Sequence, residues 1–190
     1  MSIDSIVYIL KNLESDDSIK IIENLDEKKK IYVERFRGRL IFPINNISGQ
    51  PIALGGRIIE ELDYLAKYIN SPETDFFKKG SNLYNLDLAR KLSNKVDHIY
   101  LVEGYMDVII CHQFGFKNVV ATMGTALTDF QVKKLKRFTN VVYLAMDNDG
   151  AGRKAMAKSY EILSQYQMTV YVIPLEAKDP ADMLLEKGGS

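Results

Sequence analysis

The hydrophobic positions change pattern at residue 98. From there onward, four short runs rich in β-branched residues are hydrophobic almost without interruption: HIYLVE, NVVATM, NVVYLAMD and MTVYVIPL. The segments between these runs favour helices, and in GRKAMAKSYEILSQYQ the apolar residues recur at helical spacing. Strands without polar alternation, separated by helices, predict a parallel sheet with helices on both faces.

The first half of the chain predicts smaller elements. Residues 1–34 carry apolar groups at helical spacing and predict a peripheral helical segment. RLIFPI and PIALGGRII flank the turn-forming NNISGQ and predict a β-hairpin. An irregular loop and a helix over residues 83–94 follow. We therefore expect an α/β fold in three parts: the helical segment 1–34, a smaller α+β lobe over 35–95, and a parallel-sheet domain over 96–190.

Composition narrows the class of protein. The 190 residues are 46% hydrophobic and carry no net charge, so no global basic field attracts a polyanion. A single cysteine forms no internal disulfide, and one cysteine with two histidines assembles no zinc ribbon. The N-terminus does not resemble a signal peptide, and no apolar run approaches the roughly 20 residues that cross a bilayer. We expect a cytoplasmic protein that contacts no membrane and binds no zinc.

Acidic residues collect where the predicted strands end. Two of them directly follow a hydrophobic run, and the others lie within a turn or loop of the end of a predicted strand. The set is Glu103, Asp107, Asp147, Asp149, Asp179 and Asp182. The carboxyl ends of parallel strands meet at one edge of a sheet, which is where ligands bind in such folds. A solvated turn or a helix cap explains any one of these acids equally well. It does not explain the whole set, which points to a shared site.

The residue types at this edge favour a hard cation. Carboxylates without histidine or cysteine suit Mg²⁺ or Mn²⁺. An EF-hand loop is excluded, because Ala151 and Lys158 occupy positions where Ca²⁺ ligands are needed. Gly150 and Gly152 permit a sharp turn, and the helix that begins there offers N–H groups to a phosphate. The pattern therefore predicts metal-dependent phosphoryl or nucleotidyl transfer.

Several tracts resemble a known family. VEGYMDVI, DNDGAG and KDPAD resemble the TOPRIM domain of bacterial primases, topoisomerases and some nucleases, whose Glu and Asp-x-Asp signature is matched by Glu103, Asp147 and Asp149. Over residues 34–189 the chain also resembles the catalytic core of DnaG-type bacterial DNA primase. That likeness depends on four further tracts: ERFRGRLIFPI, GGRII, KYINSPETDFFKKGSNLYNLDLAR and ATMGTALTDFQ.

The resemblance implies an enzyme that makes short RNA primers on single-stranded DNA from NTPs, leaving an RNA–DNA hybrid. It implies catalytic roles for Glu103, Asp147 and Asp149, and a Mg²⁺ or Mn²⁺ site that also includes Asp107 and Asp179. Primases commonly have Asp-Pro-Asp where this chain has Asp-Pro-Ala, so the next residue, Asp182, is expected to substitute as a ligand.

The family also has a zinc-binding module before the core and a domain behind it that binds the replicative helicase. These residues match neither, and they match only part of the first half of the core. We therefore expect a fragment of a longer primase, or a reduced relative of one, that is weakly active alone.

Basic residues in the matching tracts are the candidates for nucleic-acid contact. The resemblance implies that they bind template DNA or nucleotide phosphates, and they are Arg35, Arg37, Arg57, Lys67 and Lys79. Such contacts are largely independent of base sequence and weaken with salt. The triplet Lys28–Lys30 is explained as well by a solvated face.

Two other functions stay open on sequence grounds. The same acids serve a TOPRIM nuclease, although the primase-like loop argues against it. A non-catalytic module derived from a primase, binding DNA or a replication partner, is the second. Primer extension, DNA cleavage and binding without reaction separate the three.

Overall fold

The structure, a computed structural model, describes the backbone of residues 19–23, 30–60, 65–92 and 97–188, and side chains from residue 35 onward. It divides into two compact units, which are described separately. The first contains the described residues up to Asn46 and Gln50–Phe77, and the second contains Ile47–Gly49 and the chain from Lys78. Apart from Ile47–Gly49, the second compact unit thus begins at Lys78, while the boundary between family domains at residue 95 stays a prediction.

The prediction of helix is wrong for part of residues 1–34. Ile19–Glu23 (β1) and Lys30–Glu34 (β2) are antiparallel strands, with Ile19 opposite Glu34. Both strands are rich in isoleucine, valine and tyrosine, whose preference for extended backbone outweighs the helical spacing. The remainder of the predicted helical segment, residues 1–18 and 24–29, lies outside the described residues.

The predicted β-hairpin is confirmed. Arg39–Asn45 (β3) and Pro51–Ile58 (β4) pair antiparallel, and Tyr68–Asn70 (β5) adds a third strand to β4. The turn is closed by Asn46, whose Oδ1 accepts a hydrogen bond from the backbone N–H of Gln50 at 3.0 Å. The Asn-rich turn predicted between the two hydrophobic runs therefore joins the strands.

The helix expected over residues 83–94 is short. It covers Leu86–Ala89 (α1) and follows a single 3₁₀ turn at Lys79–Ser81. Asn85 has a φ of 68°, a left-handed conformation that no residue inside a right-handed helix adopts. The helix therefore begins only after Asn85. Residues 93 and 94 lie outside the described part of the chain.

The predicted parallel sheet is confirmed. Its four strands are Ile99–Val102 (β6), Val119–Ala121 (β7), Val141–Leu144 (β8) and Thr169–Val172 (β9), and they lie in the order β7-β6-β8-β9. The helices between and after them are Tyr105–Gln113 (α2), Asp129–Leu135 (α3), Gly150–Gln165 (α4) and Pro180–Lys187 (α5). The order of strands and helices is that of an α/β fold.

Apolar side chains cover both faces of this sheet. Leu101 belongs to a buried cluster that includes Leu163 of α4. Its neighbour Val102 points to the opposite face and belongs to a second cluster, with Val108 of α2 and Leu184 of α5. Burial on both faces explains why β6 and β7 are hydrophobic without alternation, whereas most of β9 is exposed. None of the helices in the described ranges has the length and hydrophobicity that a bilayer crossing requires.

Candidate metal centre

The carboxyl ends of β6 and β8 are linked directly. Glu103 follows β6 and is half-buried, and Asp147 lies in the turn after β8. The backbone N–H of Asp147 donates a hydrogen bond to Oε1 of Glu103 at 3.2 Å. The two acids predicted to share an edge of the sheet are therefore in contact.

Asp107 is the most deeply buried acid of the set. It lies in the first turn of α2 with only 7% of its surface exposed, and its Oδ2 accepts a hydrogen bond from the N–H of Gly104 at 3.0 Å. The backbone of Ala181, at the start of α5, also donates to it. Burial, and next the charge of Asp179, raise the pKa of Asp107 to about 6. This carboxylate brings α2 and α5 together beneath the edge.

Asp149 and Asp179 each cap a helix. Oδ1 of Asp149 accepts a hydrogen bond from the N–H of Gly152 at 2.7 Å, which caps α4. Oδ1 of Asp179 accepts one from the N–H of Asp182 at 2.8 Å, which caps α5. Each cap uses one carboxylate oxygen and fixes the orientation of the side chain. The alternative explanation by capping is thus correct for these two acids, and it does not exclude a second role.

Asp147 has a strongly raised pKa. Burial raises its pKa to about 7, and the charges of Glu103, Asp107, Asp179 and Asp149 add to the shift in that order. Burial also raises the pKa of Glu103, with a further contribution from Asp149. Among the described residues, Oδ1 of Asp147 is the one buried side-chain oxygen or nitrogen without a hydrogen-bond partner. The five acids form one electrostatically coupled set of negative charges.

The donor set fits a hard divalent cation. All donors are carboxylates, and a cation at this edge would pair the buried Oδ1 of Asp147 and offset the mutual repulsion. Within the ranges that the structure describes, no three acidic, histidine or cysteine side chains form a ready-made metal site. Mg²⁺ commonly takes only one or two carboxylates and completes its shell with water and phosphate oxygens. A pair such as Glu103 and Asp147 meets that requirement.

Asp182 is placed differently from the other five acids. Its backbone N–H serves the cap made by Asp179, and its side chain is half-buried. It is not among the charges that raise the pKa of Glu103, Asp107 or Asp147. Its role as a ligand stays a prediction.

The two glycines after the Asp-x-Asp signature have different functions. A Cβ at Gly152 would lie 2.0 Å from the carbonyl oxygen of Asp147, so only glycine fits there. A Cβ at Gly150 would meet no atom within 4 Å. The N–H of Gly152 is already bonded to Asp149, and is not free for the phosphate that the sequence suggested. Close packing of the turn against the start of α4 is therefore what requires Gly152.

The candidate DNA-binding residues of the first unit differ in the contacts that they make within the protein. The guanidinium of Arg35 donates two hydrogen bonds to the backbone oxygen of Asn70, at 3.2 and 3.0 Å. Arg57 lies opposite Tyr68 in the β4–β5 pair, with its guanidinium 5.9 Å from the centre of the tyrosine ring. Arg37 is exposed. Arg35 thus has a structural task, whereas Arg57 and Arg37 present charge at the surface of this unit.

Lys67 and Lys79 belong to different units. Lys67 is exposed in the first, and its backbone oxygen accepts a hydrogen bond from Arg39 at 3.3 Å. Lys79 opens the 3₁₀ turn of the second unit, where its backbone oxygen accepts a hydrogen bond from the side chain of Gln131 at 3.1 Å. The five basic candidates are therefore distributed over two units, four in the first and Lys79 in the second.

One feature of this edge escaped the sequence analysis. Directly after β7, Met123 and Gly124 both have positive φ, 64° and 75°. The N–H of Met123 donates a hydrogen bond to the backbone oxygen of Glu103 at 3.0 Å, which joins this turn to the acids. Glycine was a partial signal for such a turn, but a buried methionine in the left-handed region has no sequence signature.

Comparison with known proteins finds matches over most of the chain. Residues 100–184 match the Toprim-like family model, and residues 4–90 match the N-terminal domain of the DNA primase catalytic core. The DNA primase of Clostridium acetobutylicum is 44% identical over 163 residues, which cover 85% of this chain and 27% of that protein. A DNA primase of Staphylococcus aureus is 41% identical over 165 residues, 87% of this chain and again 27% of the relative.

Solved primase structures share the fold. The Aquifex aeolicus primase, with zinc-binding and RNA polymerase domains, matches with a TM-score of 0.81 and 37% identity, over 99% of this chain and 47% of that one. The E. coli primase catalytic core matches with a TM-score of 0.78 and 33% identity, over 96% and 57%. A DnaG primase catalytic domain bound to single-stranded DNA matches with a TM-score of 0.80 and 31% identity, over 95% and 59%.

The parallel sheet, with Glu103, Asp147 and Asp149 following its strands, is a TOPRIM domain. The matches extend across the first unit as well. The chain belongs to the DnaG-type bacterial DNA primase family and carries catalytic-core sequence of that family. It spans about a quarter of the length of the curated relatives, 27% in each case above.

Proposed function

We propose that the chain takes part in primer synthesis, as the metal-dependent nucleotidyl-transfer centre of a DNA primase. The observation that carries this proposal is the coupled set of acids at the edge of the TOPRIM sheet, with the buried Oδ1 of Asp147 unpaired among the described residues. The family supports it, because the relatives described above, which are over 40% identical to this chain, are DNA primases. Divalent metal use is typical of TOPRIM primases, and we assign Mg²⁺ or Mn²⁺ to this edge.

The proposed roles of the acids follow from how each is held. Glu103, Asp147 and Asp149 are the catalytic ligands, and Asp107 and Asp179 complete the metal-binding set. Hydrogen bonds from backbone N–H groups orient Glu103, Asp107, Asp149 and Asp179 before any substrate binds. A bound divalent cation would neutralise phosphate oxygens and favour attack by a primer hydroxyl.

Asp182 is included in the proposed set only as a substitute for the aspartate that primases have at residue 181. Its contribution is expected to be smaller, because its charge is not among those that raise the pKa of Asp107 or Asp147.

The proposed nucleic-acid contacts are ionic and independent of base sequence. Arg35, Arg37, Arg57, Lys67 and Lys79 are assigned to template or nucleotide phosphates. A relative's catalytic domain was solved with single-stranded DNA, which supports template binding by such a core. NTPs, an RNA–DNA hybrid and the replicative helicase are proposed on family grounds alone. We also propose that residues 35–95 are the basic lobe and residues 96–190 the TOPRIM domain.

The proposal is tested by incubating the chain with single-stranded template, labelled NTPs and Mn²⁺. We expect slow primer extension that Asp147→Asn abolishes. Glu161→Gln is the matched control, since it removes one charge from an exposed position of α4 and should leave the rate unchanged. Cleavage of the template would indicate a nuclease instead. Binding of template without extension by the unmodified chain would indicate a non-catalytic module.

A further inference from the structure

Side chains from the start of helix α3 hold the short turn that precedes α1. Four consecutive backbone oxygens of this turn each accept a hydrogen bond from such a side chain, and they belong to Lys79, Gly80, Ser81 and Asn82. The donors are spaced three residues apart, so that neighbouring donors lie side by side on the helix, and they are Thr128, Gln131 and Lys134. All of these residues belong to the second unit.

Gln131 lies at the centre of this contact and is 0% exposed. Its amide nitrogen donates hydrogen bonds to the backbone oxygens of Lys79, at 3.1 Å, and Asn82, at 2.7 Å. Its amide oxygen accepts one from the backbone N–H of Thr128 at 3.0 Å. Both N–H donors and the oxygen of the amide therefore have partners. A buried amide with this set of partners fixes the backbone atoms that it contacts.

The turn is also held by bonds of its own and by Lys134. The side-chain amide of Asn82 donates a hydrogen bond to the backbone oxygen of Lys78 at 2.8 Å. The backbone N–H of Asn82 donates one to the backbone oxygen of Lys79 at 3.2 Å. Nζ of Lys134 donates to the backbone oxygen of Ser81 and, at 3.3 Å, to Oδ1 of Asn82. The backbone of Lys79 is thus held from two sides, while the residue itself is partly exposed.

We infer that Gln131 is a positioning residue for Lys79, which it presents in a fixed orientation to a phosphate group of the template strand or of a nucleotide. The inference rests on the proposed function, which assigns Lys79 to such a phosphate. Ordering a flexible side chain and its loop at the moment of binding lowers affinity by about two- to tenfold. A turn that α3 already holds avoids this loss. Because Gln131 is fully buried, it acts through Lys79 and not on the ligand.

The test compares Lys79→Ala with Gln131→Met in the full chain. Two fluorescent probes are titrated separately, a single-stranded DNA oligonucleotide and ATP, and the probe whose binding Lys79→Ala weakens identifies the source of the phosphate. For DNA, Lys79→Ala should also lower the slope of log affinity against log salt concentration by about 1. Gln131→Met keeps the length of the side chain but removes both N–H donors. It should weaken binding of the same probe by about two- to tenfold and leave the salt slope unchanged, because the lysine still makes its contact once bound.

The double variant Lys79→Ala/Gln131→Met distinguishes positioning from a general loss of structure. We expect it to bind the probe as Lys79→Ala does, because no lysine remains to be positioned. Thr139→Val is the matched control. Thr139 is 3% exposed, and its hydroxyl donates a hydrogen bond to the backbone oxygen of Asp97 at 2.9 Å. Its replacement should lower stability and leave binding unchanged.

Circular dichroism checks that each variant is folded. If Gln131→Met is not, Thr128→Val takes its place, since it removes the hydroxyl that donates to Gly80. Thr128→Val should weaken binding of the probe, and Thr128→Ser, which keeps the hydroxyl, should restore it.

Three results would overturn the inference. The first is that Lys79→Ala weakens binding whereas Gln131→Met and Thr128→Val do not, in which case the proposed phosphate contact stands and only the positioning role fails. The second is that the double variant binds more weakly than Lys79→Ala. The third is that Thr139→Val weakens binding as much as Gln131→Met. If Lys79→Ala changes the binding of neither probe, the proposed contact itself is wrong and the inference fails with it.

Discussion

Asp147 donates its backbone N–H to the carboxylate of Glu103 across 44 positions of the chain. This hydrogen bond connects the ends of β6 and β8, which pair in parallel with Leu101 beside Leu144. It holds the two acids together although their charges repel. The repulsion is visible in the pKa of Asp147, which burial and the neighbouring carboxylates raise from 3.8 to about 7. Repulsion between carboxylates therefore destabilises this edge of the sheet, as is common at ligand-binding sites.

The first prediction concerns stability and pH in metal-free buffer. Because the folded chain holds the proton of Asp147 more tightly than the unfolded chain, stability falls as pH rises from about 4 to about 7. Asp147→Asn removes this titration. The variant should match wild type near pH 4 and exceed its free energy of unfolding by about 1 kcal/mol at pH 8, a value kept small by solvent screening of a half-exposed group.

Urea unfolding at several pH values measures the difference. Glu161→Gln, an exposed charge removal on α4, should follow wild type throughout. A constant difference between Asp147→Asn and wild type at pH 4 and pH 8 would show that the Asp147 carboxylate is not destabilising.

The second prediction concerns the turn before α4. Gly152→Ala places a Cβ against the carbonyl oxygen of Asp147 and should cost about 3 kcal/mol, because backbone must move. Gly150→Ala has open space and should change the free energy of unfolding by about 0.5 kcal/mol at most. Thermal unfolding of the two variants compares them directly. Equal stabilities would mean that the turn does not pack as described.

The third prediction separates the capping role of Asp179 from its proposed metal role. Asparagine caps a helix about as well as aspartate, so Asp179→Asn should keep its stability and lose Mn²⁺ affinity. Asp179→Ala should lose Mn²⁺ affinity and about 1 kcal/mol of stability as well. Asp182→Asn should affect Mn²⁺ less than Asp179→Asn does. Unchanged Mn²⁺ affinity in Asp179→Asn would reduce this residue to a helix cap.

The fourth prediction concerns the basic lobe. Arg57→Ala and Lys67→Ala should each weaken binding of single-stranded DNA and lower the slope of log affinity against log salt concentration by about 1. Fluorescence anisotropy over a series of KCl concentrations gives both values, with Lys133→Ala as the control from the other unit. Arg35→Ala is less informative, because it also breaks two bonds to Asn70. Unaltered binding in both variants would assign Arg57 and Lys67 to structure.

Strands β6 and β7 could be predicted because they are buried on both faces, and continuous hydrophobicity reflects that burial. Strand β9 is equally hydrophobic in sequence although Tyr171 and Val172 are about half exposed. The position of the acids followed from the same pattern, since parallel strands bring their carboxyl ends to one edge. Strands β1 and β2 were missed because isoleucines such as Ile19 and Ile22 fit either helical spacing or an extended strand.

The finer features of the site depend on contacts between segments that are distant in sequence. The bond from Asp147 to Glu103 depends on the register of β8 against β6, which no local pattern specifies. Met123 has a positive φ, which is unfavourable for a residue with a Cβ, and it is buried with its N–H bonded to the backbone oxygen of Glu103. Local sequence therefore identified the acids but not the way they are held.

The most direct test of the metal centre is calorimetric titration of Mn²⁺ into the wild-type chain and into Asp147→Asn/Asp149→Asn. Asparagine retains the cap at residue 149, so the double variant should fold. We expect wild type to bind Mn²⁺, and the variant to bind it at least about 100-fold more weakly. Losing even an outer partner of a metal ligand costs about 10- to 100-fold in affinity. Equal Mn²⁺ affinity in the two proteins would contradict the assignment of these acids as ligands.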